Sequence, residues 1–140
     1  MVMNLVRELA TREGLKVDLL VIRAQGPYLQ DIPSNINVIR LKATHTLTSV
    51  PELARYFRQC QPEAMLVAKD RAGRAALIAK KLANAKTRIV IRLGTNLSTA
   101  LQHRSAVSRW LRVAPMRVLY PSVHRVVAVS EGVKLSLIHI

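Results

Sequence analysis

The chain has 140 residues, half of them hydrophobic, which fits one domain with a sizeable core and excludes a disordered chain. Lys and Arg outnumber Asp and Glu by 22 to 8, so the formal net charge is +14 and phosphate-bearing partners of several kinds are attracted. Cys60 is the only cysteine, which excludes an internal disulfide and a cysteine-built metal site. Without a signal-peptide pattern or an apolar stretch of the ~18 residues that span a bilayer, a cytoplasmic location is expected.

The first elements follow from apolar spacing. Residues at helical intervals predict a helix that begins near Val2 and ends at Gly14. Short, almost continuous apolar runs at 17–22 and 37–41 predict two strands of a kind that helices cover on both faces. The segment 24–35 between them contains two prolines, a glycine and an asparagine, and is predicted to be a loop.

The middle of the chain alternates helices and strands. Ser49 and Glu52 form a capping box for a helix that extends to about residue 59. Strands are predicted at 64–68 and 87–92. Between them lies a helix that Asp70 can cap, and its alanine-rich face suits close packing on a sheet.

The last part of the chain predicts a helix over about 98–112 that Pro115 ends. A short helical turn over 116–120 and a fifth strand over 125–129 follow, and Ser130 then opens a further helix. Short apolar strands that alternate with helices are typical of the α/β class. The predicted fold is a Rossmann-like open parallel sheet with helices on both faces.

Ligands of open parallel sheets bind beyond the carboxyl ends of the strands. The residues that follow the predicted strands form a polar, cationic rim that suits a sugar or a phosphate-bearing ligand. Asp70 and Ser130 also fit the role of helix caps, and Gly94 that of a turn residue. No catalytic residue is assigned. The candidate acceptor-binding or cleft-binding residues are Asp70, Arg71, Arg92, Gly94, Thr95, Asn96, Ser130 and Glu131, and the rim also includes Arg23, residues 26–28 and Lys69.

Several enzyme motifs are absent from the sequence, among them the Gly-x-Ser-x-Gly elbow, the Gly-Lys-Ser/Thr phosphate loop and Gly-x-Gly-x-x-Gly. The four histidines lack metal-ligand spacing, so no metal is expected. The basic segment 104–117 leaves two interpretations open. Trp110 flanked by arginines is typical of an amphipathic helix on an anionic membrane, but Trp110 could equally pack in the core beneath a solvated cationic face.

Four segments in this order carry a family resemblance: MNLVRELATREGLKVDLLVIRAQGPY, SVPELARYFRQCQPEAMLVAKDRAGRAALIAKKL, TRIVIRLGTNLS and VHRVVAVSEGV. Together they resemble the N-terminal domain of family 4 glycosyltransferases, which have the two-domain GT-B fold. The resemblance spans about residues 3–133. It is most specific at the first helix-to-strand step and at VVAVSEGV, and less specific in the middle.

The resemblance implies a transferase that moves a sugar from a nucleotide-sugar to an acceptor. In the family the N-terminal domain holds the acceptor, and a C-terminal domain grips most of the donor. Basic residues, rather than a metal ion, stabilise the departing diphosphate, so no cofactor is expected. The expected acceptor is a lipid-linked or cell-envelope glycan at the cytoplasmic face of a membrane. The alternative is a non-catalytic basic module that binds nucleic acid or another polyanion.

The sequence also departs from the family pattern. The family's first strand and glycine-rich loop do not precede Met1, and residues 92–96 stand where family members often have a histidine. The resemblance covers only the acceptor-side domain, so the donor-binding domain is expected outside these 140 residues. We therefore expect a partial glycosyltransferase N-terminal-like domain over 1–133 and a divergent tail of foreign origin over 134–140. Such a fragment is expected to be inactive alone, and marginally stable or prone to associate.

Overall fold

The structure is a computed structural model that describes residues 2–22, 30, 32–94 and 105–128. It divides into two compact units, Met1–Ser49 and Val50–Ile140. Parallel strands flanked by helices make up the described chain, which confirms the predicted α/β class with a Rossmann-like arrangement. The helix predicted to open at Ser130 and the tail 134–140 lie outside the described residues, as does most of the loop 24–35.

The described residues of the first unit form α1 (Val2–Ala10), β1 (Asp18–Ile22) and β2 (Asn37–Leu41). The strands are parallel and in register from one end to the other. A hydrogen bond from Asn37 Nδ2 to Asp18 Oδ1, at 3.2 Å, links the first residues of the two strands. Among the described residues of this unit, Val6 and Ile36 are its buried large apolar side chains.

Helix α1 ends at Ala10, four residues before the predicted end at Gly14. The amide of Thr11 donates to the carbonyl of Glu8, a tighter pattern than the α-helical one, and the Thr11 hydroxyl donates to the same carbonyl at 2.7 Å. Gly14 itself has φ +77°, a backbone angle that favours glycine. The prediction that Gly14 ends the helix was wrong, because the helix closes one turn earlier.

The second unit holds a sheet of three parallel strands in the order β3-β4-β5, with helices in the connections. Its elements are α2 (Val50–Cys60), β3 (Ala64–Val67), α3 (Asp70–Ala83), β4 (Arg88–Leu93), α4 (Ala106–Leu119), a 3-10 turn (Tyr120–Ser122) and β5 (Arg125–Ala128). The five described strands thus fall into two sheets, one in each unit.

Helix α3 packs on β4 at Gly73, and packing of its alanine-rich face on the sheet stays a prediction. A Cβ placed on Gly73 would lie 2.6 Å from Cδ1 of Ile91, so the helix backbone touches the strand's side chain. Three alanines on the same helix, at positions 75, 76 and 79, are buried. Because Gly73 has no side chain, the helix axis can approach the sheet closely at this position. At 100° per residue, Ala75 and Ala79 lie about 160° and 120° from Gly73, so they are buried on another side of the helix.

The far end of α3 is closed by a left-handed residue and by a side chain from α2. Asn84 has φ 51°, and the amides of Asn84 and Ala85 donate to the carbonyls of Lys81 and Lys80. This pattern is a Schellman motif. Nη2 of Arg58 donates to the carbonyl of Leu82 at 3.0 Å, which adds a positive charge at the negative end of the helix dipole.

Pro115 does not end its helix, so that prediction was wrong. Helix α4 continues through Pro115 to Leu119, although proline removes one helical hydrogen bond at a cost of about 3 kcal/mol. Buried Met116 anchors the residues beyond the proline, and the amide of Tyr120 still donates to the Met116 carbonyl. At the other end, the Ser105 hydroxyl accepts from the Ser108 amide and caps the helix.

Candidate functional site

The sheet of the second unit brings two of the predicted rim segments to one edge. Val67 and Ile91 are partners in the parallel ladder between β3 and β4, so both strands end at the same level. Residues 69–71 follow β3, and residues 92–94 close β4. Four of the eight candidate site residues therefore lie on adjacent strand ends, namely Asp70, Arg71, Arg92 and Gly94.

This edge of the sheet is cationic. Lys69 and Arg71 are exposed at the start of α3, and Arg92 is half-buried near the end of β4. Ile91 contacts α3, and side chains alternate along a strand, so Arg92 lies on the opposite face of the sheet. Guanidinium and ammonium groups donate charge-assisted hydrogen bonds to phosphate oxygens and carboxylates. The edge can therefore bind anionic or hydroxyl-rich ligands.

Asp70 does not cap α3, contrary to one of its two predicted roles. The cap position belongs to Lys69, and Asp70 is the first helical residue. Its carboxylate accepts a hydrogen bond from Tyr120 Oη at 2.8 Å and another from Arg74 Nη2 at 3.0 Å. The negative charge still lies in the first turn, where the helix dipole favours it.

The Asp70–Tyr120 contact joins the start of α3 to the 3-10 turn that follows α4. Burial raises the pKa of the Tyr120 hydroxyl well above its usual value of about 10, and the hydrogen bond and negative charge of Asp70 raise it further. Nearby Arg74 opposes this shift. Tyr120 is therefore protonated near neutral pH and donates its hydrogen bond to Asp70, whose carboxylate is occupied by Tyr120 and Arg74 of the same chain.

Gly94 is not required by the backbone or by crowding. Its φ lies outside the left-handed region, and the nearest described atom to an added Cβ is Nη1 of Arg92 at 4.0 Å. The explanation of Gly94 as a turn residue is therefore not supported by its φ angle. Close approach of a ligand to the backbone stays a prediction for this position.

The remaining candidates fall outside the described residues. These are Thr95, Asn96, Ser130 and Glu131, together with Arg23 and residues 26–28 of the wider rim. The ladder partners Leu93 and Ala128 nevertheless place the described end of β5 beside the end of β4.

A family model described as "Glycosyl transferase 4-like domain" matches residues 1–138. The chain belongs to this family. Parallel strands with intervening helices agree with the resemblance that the four sequence segments carry. Neither a curated protein nor a solved structure shows a significant match to this glycosyl transferase 4-like domain.

The sequence analysis did not identify Arg74 and Tyr120, the two residues that hydrogen-bond to the Asp70 carboxylate. Arg74 stands four residues after Asp70 on a helix, a spacing at which opposite charges meet, so sequence spacing could have identified it. Tyr120 lies fifty residues from Asp70 and is brought to it only by the packing of the connections. Among the described residues, Nε of Arg74 is a buried donor without a hydrogen-bond partner.

Trp110 does not pack in the core of this glycosyl transferase 4-like domain, so that interpretation of the basic segment was wrong. The side chain is exposed, as are those of Val107 and Leu111 on the same helix. No helix in the described part of the chain combines the length and the apolar character required to cross a bilayer.

Metal ligands do not converge in the described residues. Over those ranges, no group of three His, Cys, Asp or Glu side chains is arranged so that it could hold a metal ion. The absence of a cofactor from the chemistry stays a prediction, since it came from the family resemblance.

Proposed function

We propose that this glycosyl transferase 4-like domain binds the acceptor in a reaction that transfers a sugar from a nucleotide-sugar. The acceptor is a lipid-linked or cell-envelope glycan at the cytoplasmic face of a membrane. The observation that supports the proposal best is the cationic edge where β3 and β4 end together, with Arg92 half-buried and Lys69 and Arg71 exposed. A second domain grips most of the donor.

In this reaction the acceptor domain has two tasks, which are to position the acceptor hydroxyl and to supply positive charge. A hydroxyl oxygen of the acceptor bonds to the anomeric carbon of the sugar, the bond from that carbon to the diphosphate oxygen breaks, and the hydroxyl proton passes to the departing diphosphate. Negative charge accumulates on the departing diphosphate, and cations near it lower the barrier. Arg71 and Arg92 are our candidates for contacts with a glycan or phosphate of the acceptor.

In the proposed site, Asp70 stabilises the start of α3 and does not contact the ligand. Its carboxylate is held by Tyr120 and Arg74, so it fixes the first turn of α3 beside Arg71. In this proposal Asp70 is a positioning residue, and no catalytic base is assigned.

The test uses the complete product of the reading frame that contains this chain. Radiolabelled nucleotide-sugars are supplied with a membrane lipid extract, and the label in the lipid fraction is counted. We expect incorporation from at least one donor, and we expect Arg71→Ala and Arg92→Ala to raise the KM for the acceptor. Arg55→Ala is the matched control, because Arg55 is an exposed arginine on α2, away from the strand ends. Failure of all donors, or equal effects of the three variants, would reject the assignment.

A second candidate function rests on charge alone. The formal net charge of +14 favours a basic module that binds nucleic acid or another polyanion without catalysis. This function predicts tight binding whose affinity falls steeply with salt and which needs no nucleotide-sugar. Fluorescence anisotropy with a labelled oligonucleotide across a salt series measures it directly.

A further inference from the structure

Helix α4 has two faces of opposite character within the second unit. Met116 points inward and is 2% exposed. Four large apolar residues on the same helix are exposed, and we call them the α4 stripe: Val107 (69%), Trp110 (67%), Leu111 (59%) and Val118 (75%). At 100° per residue, all four positions fall within an arc of about 100° that is centred roughly opposite Met116.

The α4 stripe differs from the scattered apolar residues that any protein surface carries. Single exposed leucines need no explanation, but several large apolar side chains on one face of a helix mark a contact surface. Val107, Trp110 and Leu111 lie within about one turn, and Val118 follows two turns later with the half-buried Ala114 between. Helix α4 is 14 residues long and contains all four positions. The described neighbours of α4 cover its Met116 face and leave the stripe exposed.

The charge around the stripe indicates what the partner is. Helix α4 itself contains three arginines, at positions 109, 112 and 117, and no Asp or Glu, and the wider segment 71–130 also contains no Asp or Glu. Arg117, on α4 itself, is exposed beside the stripe. A second copy of this chain carries the same positive charge, so the two copies would repel each other across this surface. A partner with an apolar interior and an anionic surface satisfies both features.

We propose that the α4 stripe docks on an anionic lipid bilayer, with Trp110 and Leu111 inserted at the boundary between headgroups and acyl chains. A helix that lies in this interface buries its apolar face by about 5–10 Å, and each basic residue near the surface adds about 1 kcal/mol of attraction. Membrane binding by the stripe does not depend on the proposed function. Its role does, because we infer that docking brings a lipid-linked acceptor to the rim.

Trp110 is the only tryptophan of the chain, so its fluorescence reports on the stripe without labelling. The chain is titrated with vesicles of phosphatidylcholine alone and of equimolar phosphatidylcholine and phosphatidylglycerol, with and without brominated acyl chains. We expect a blue shift and quenching by bromine only with the anionic vesicles. Leu111→Glu should weaken vesicle binding by about ten-fold or more, because it places a charge where an apolar side chain inserts.

Leu82→Glu is the matched control, since Leu82 on α3 is 58% exposed but lies outside the stripe. Val118→Glu repeats the test at a second stripe position, and circular dichroism confirms that each variant is folded. Equal weakening by Leu111→Glu and Leu82→Glu would overturn the proposal. So would vesicle binding without a Trp110 shift, a blue shift that depends on protein concentration without lipid, or the same shift with duplex DNA. No sugar is present, so failure here leaves the transferase test unaffected.

Discussion

Helices α3 and α4 are equally long and both connect parallel strands of the same sheet, yet they treat apolar residues in opposite ways. Helix α3 buries Gly73 against β4 and three alanines elsewhere in its unit, and its exposed side chains are those of Arg71, Lys81 and Leu82. Helix α4 buries Met116 and exposes a tryptophan, a leucine and two valines. The small residues of α3 are explained by close packing inside the unit. The large residues of α4 are exposed in the described part of the unit, which is why we propose a contact outside it.

The sharpest test of this comparison replaces one leucine on each helix by alanine. Leu77 on α3 is buried and Leu111 on α4 is exposed. Leu77→Ala should lower the free energy of unfolding by about 2–5 kcal/mol, because it leaves a cavity. Leu111→Ala should change it by less than about 0.5 kcal/mol. Urea denaturation of both variants measures the difference, and similar losses would show that α4 is packed on both faces.

The close approach of α3 to β4 can be tested at Gly73. Gly73→Ala should destabilise the fold by about 1–2 kcal/mol, because the new Cβ would overlap Cδ1 of Ile91 at 2.6 Å. The better helix propensity of alanine offsets part of this cost.

Ile91→Val removes Cδ1, so the double variant should lose less stability than the sum of the two single variants. Gly94→Ala is the control, because its Cβ meets nothing described within 4 Å except Nη1 of Arg92 at 4.0 Å. A stabilised Gly73→Ala variant in a thermal unfolding experiment would contradict the close packing.

The contact between the turn after α4 and the start of α3 predicts a dependence on alkaline pH. Tyr120→Phe should lower the free energy of unfolding by about 1 kcal/mol near neutral pH, because Asp70 loses a donor. The raised pKa of Tyr120 means that its contribution is complete below the unfolded value near 10 and is lost as the pH rises above it. The difference between wild type and variant should therefore shrink above pH ~10. A constant difference across that range would contradict the assignment.

Much of the fold was predictable because strands in parallel sheets are short, apolar and regularly separated by helices. The strand predicted at 87–92 is β4 shifted by one residue. The alanine pattern did not identify Gly73, which is the residue of α3 that contacts β4. The rule that proline ends a helix failed at Pro115, because the packing of Met116 outweighs the missing hydrogen bond of the proline. The early end of α1 was missed because the Thr11 hydroxyl competes for a helical carbonyl.

The candidate site was predictable only in outline. Strand order and parallel register bring residues 69–71 and 92–94 to one edge, and both segments could be chosen as strand ends from the sequence. The hydrogen bond from Tyr120 to Asp70 could not be predicted from the sequence, because fifty residues separate the two and no periodicity links them. The exposure of Trp110 could not be predicted either. A helical wheel of α4 shows an apolar row, but it does not show which side of the helix faces the sheet.

The most direct test of the central claim measures where the acceptor binds. Hydrogen–deuterium exchange on the complete protein is compared with no ligand, with the nucleotide-sugar alone and with the lipid acceptor alone. The account predicts that the acceptor slows exchange in peptides that contain residues 69–71 and 92–94, and that the nucleotide-sugar alone does not. Protection of these peptides by the nucleotide-sugar alone, or no protection by any acceptor that is a proven substrate, would contradict it.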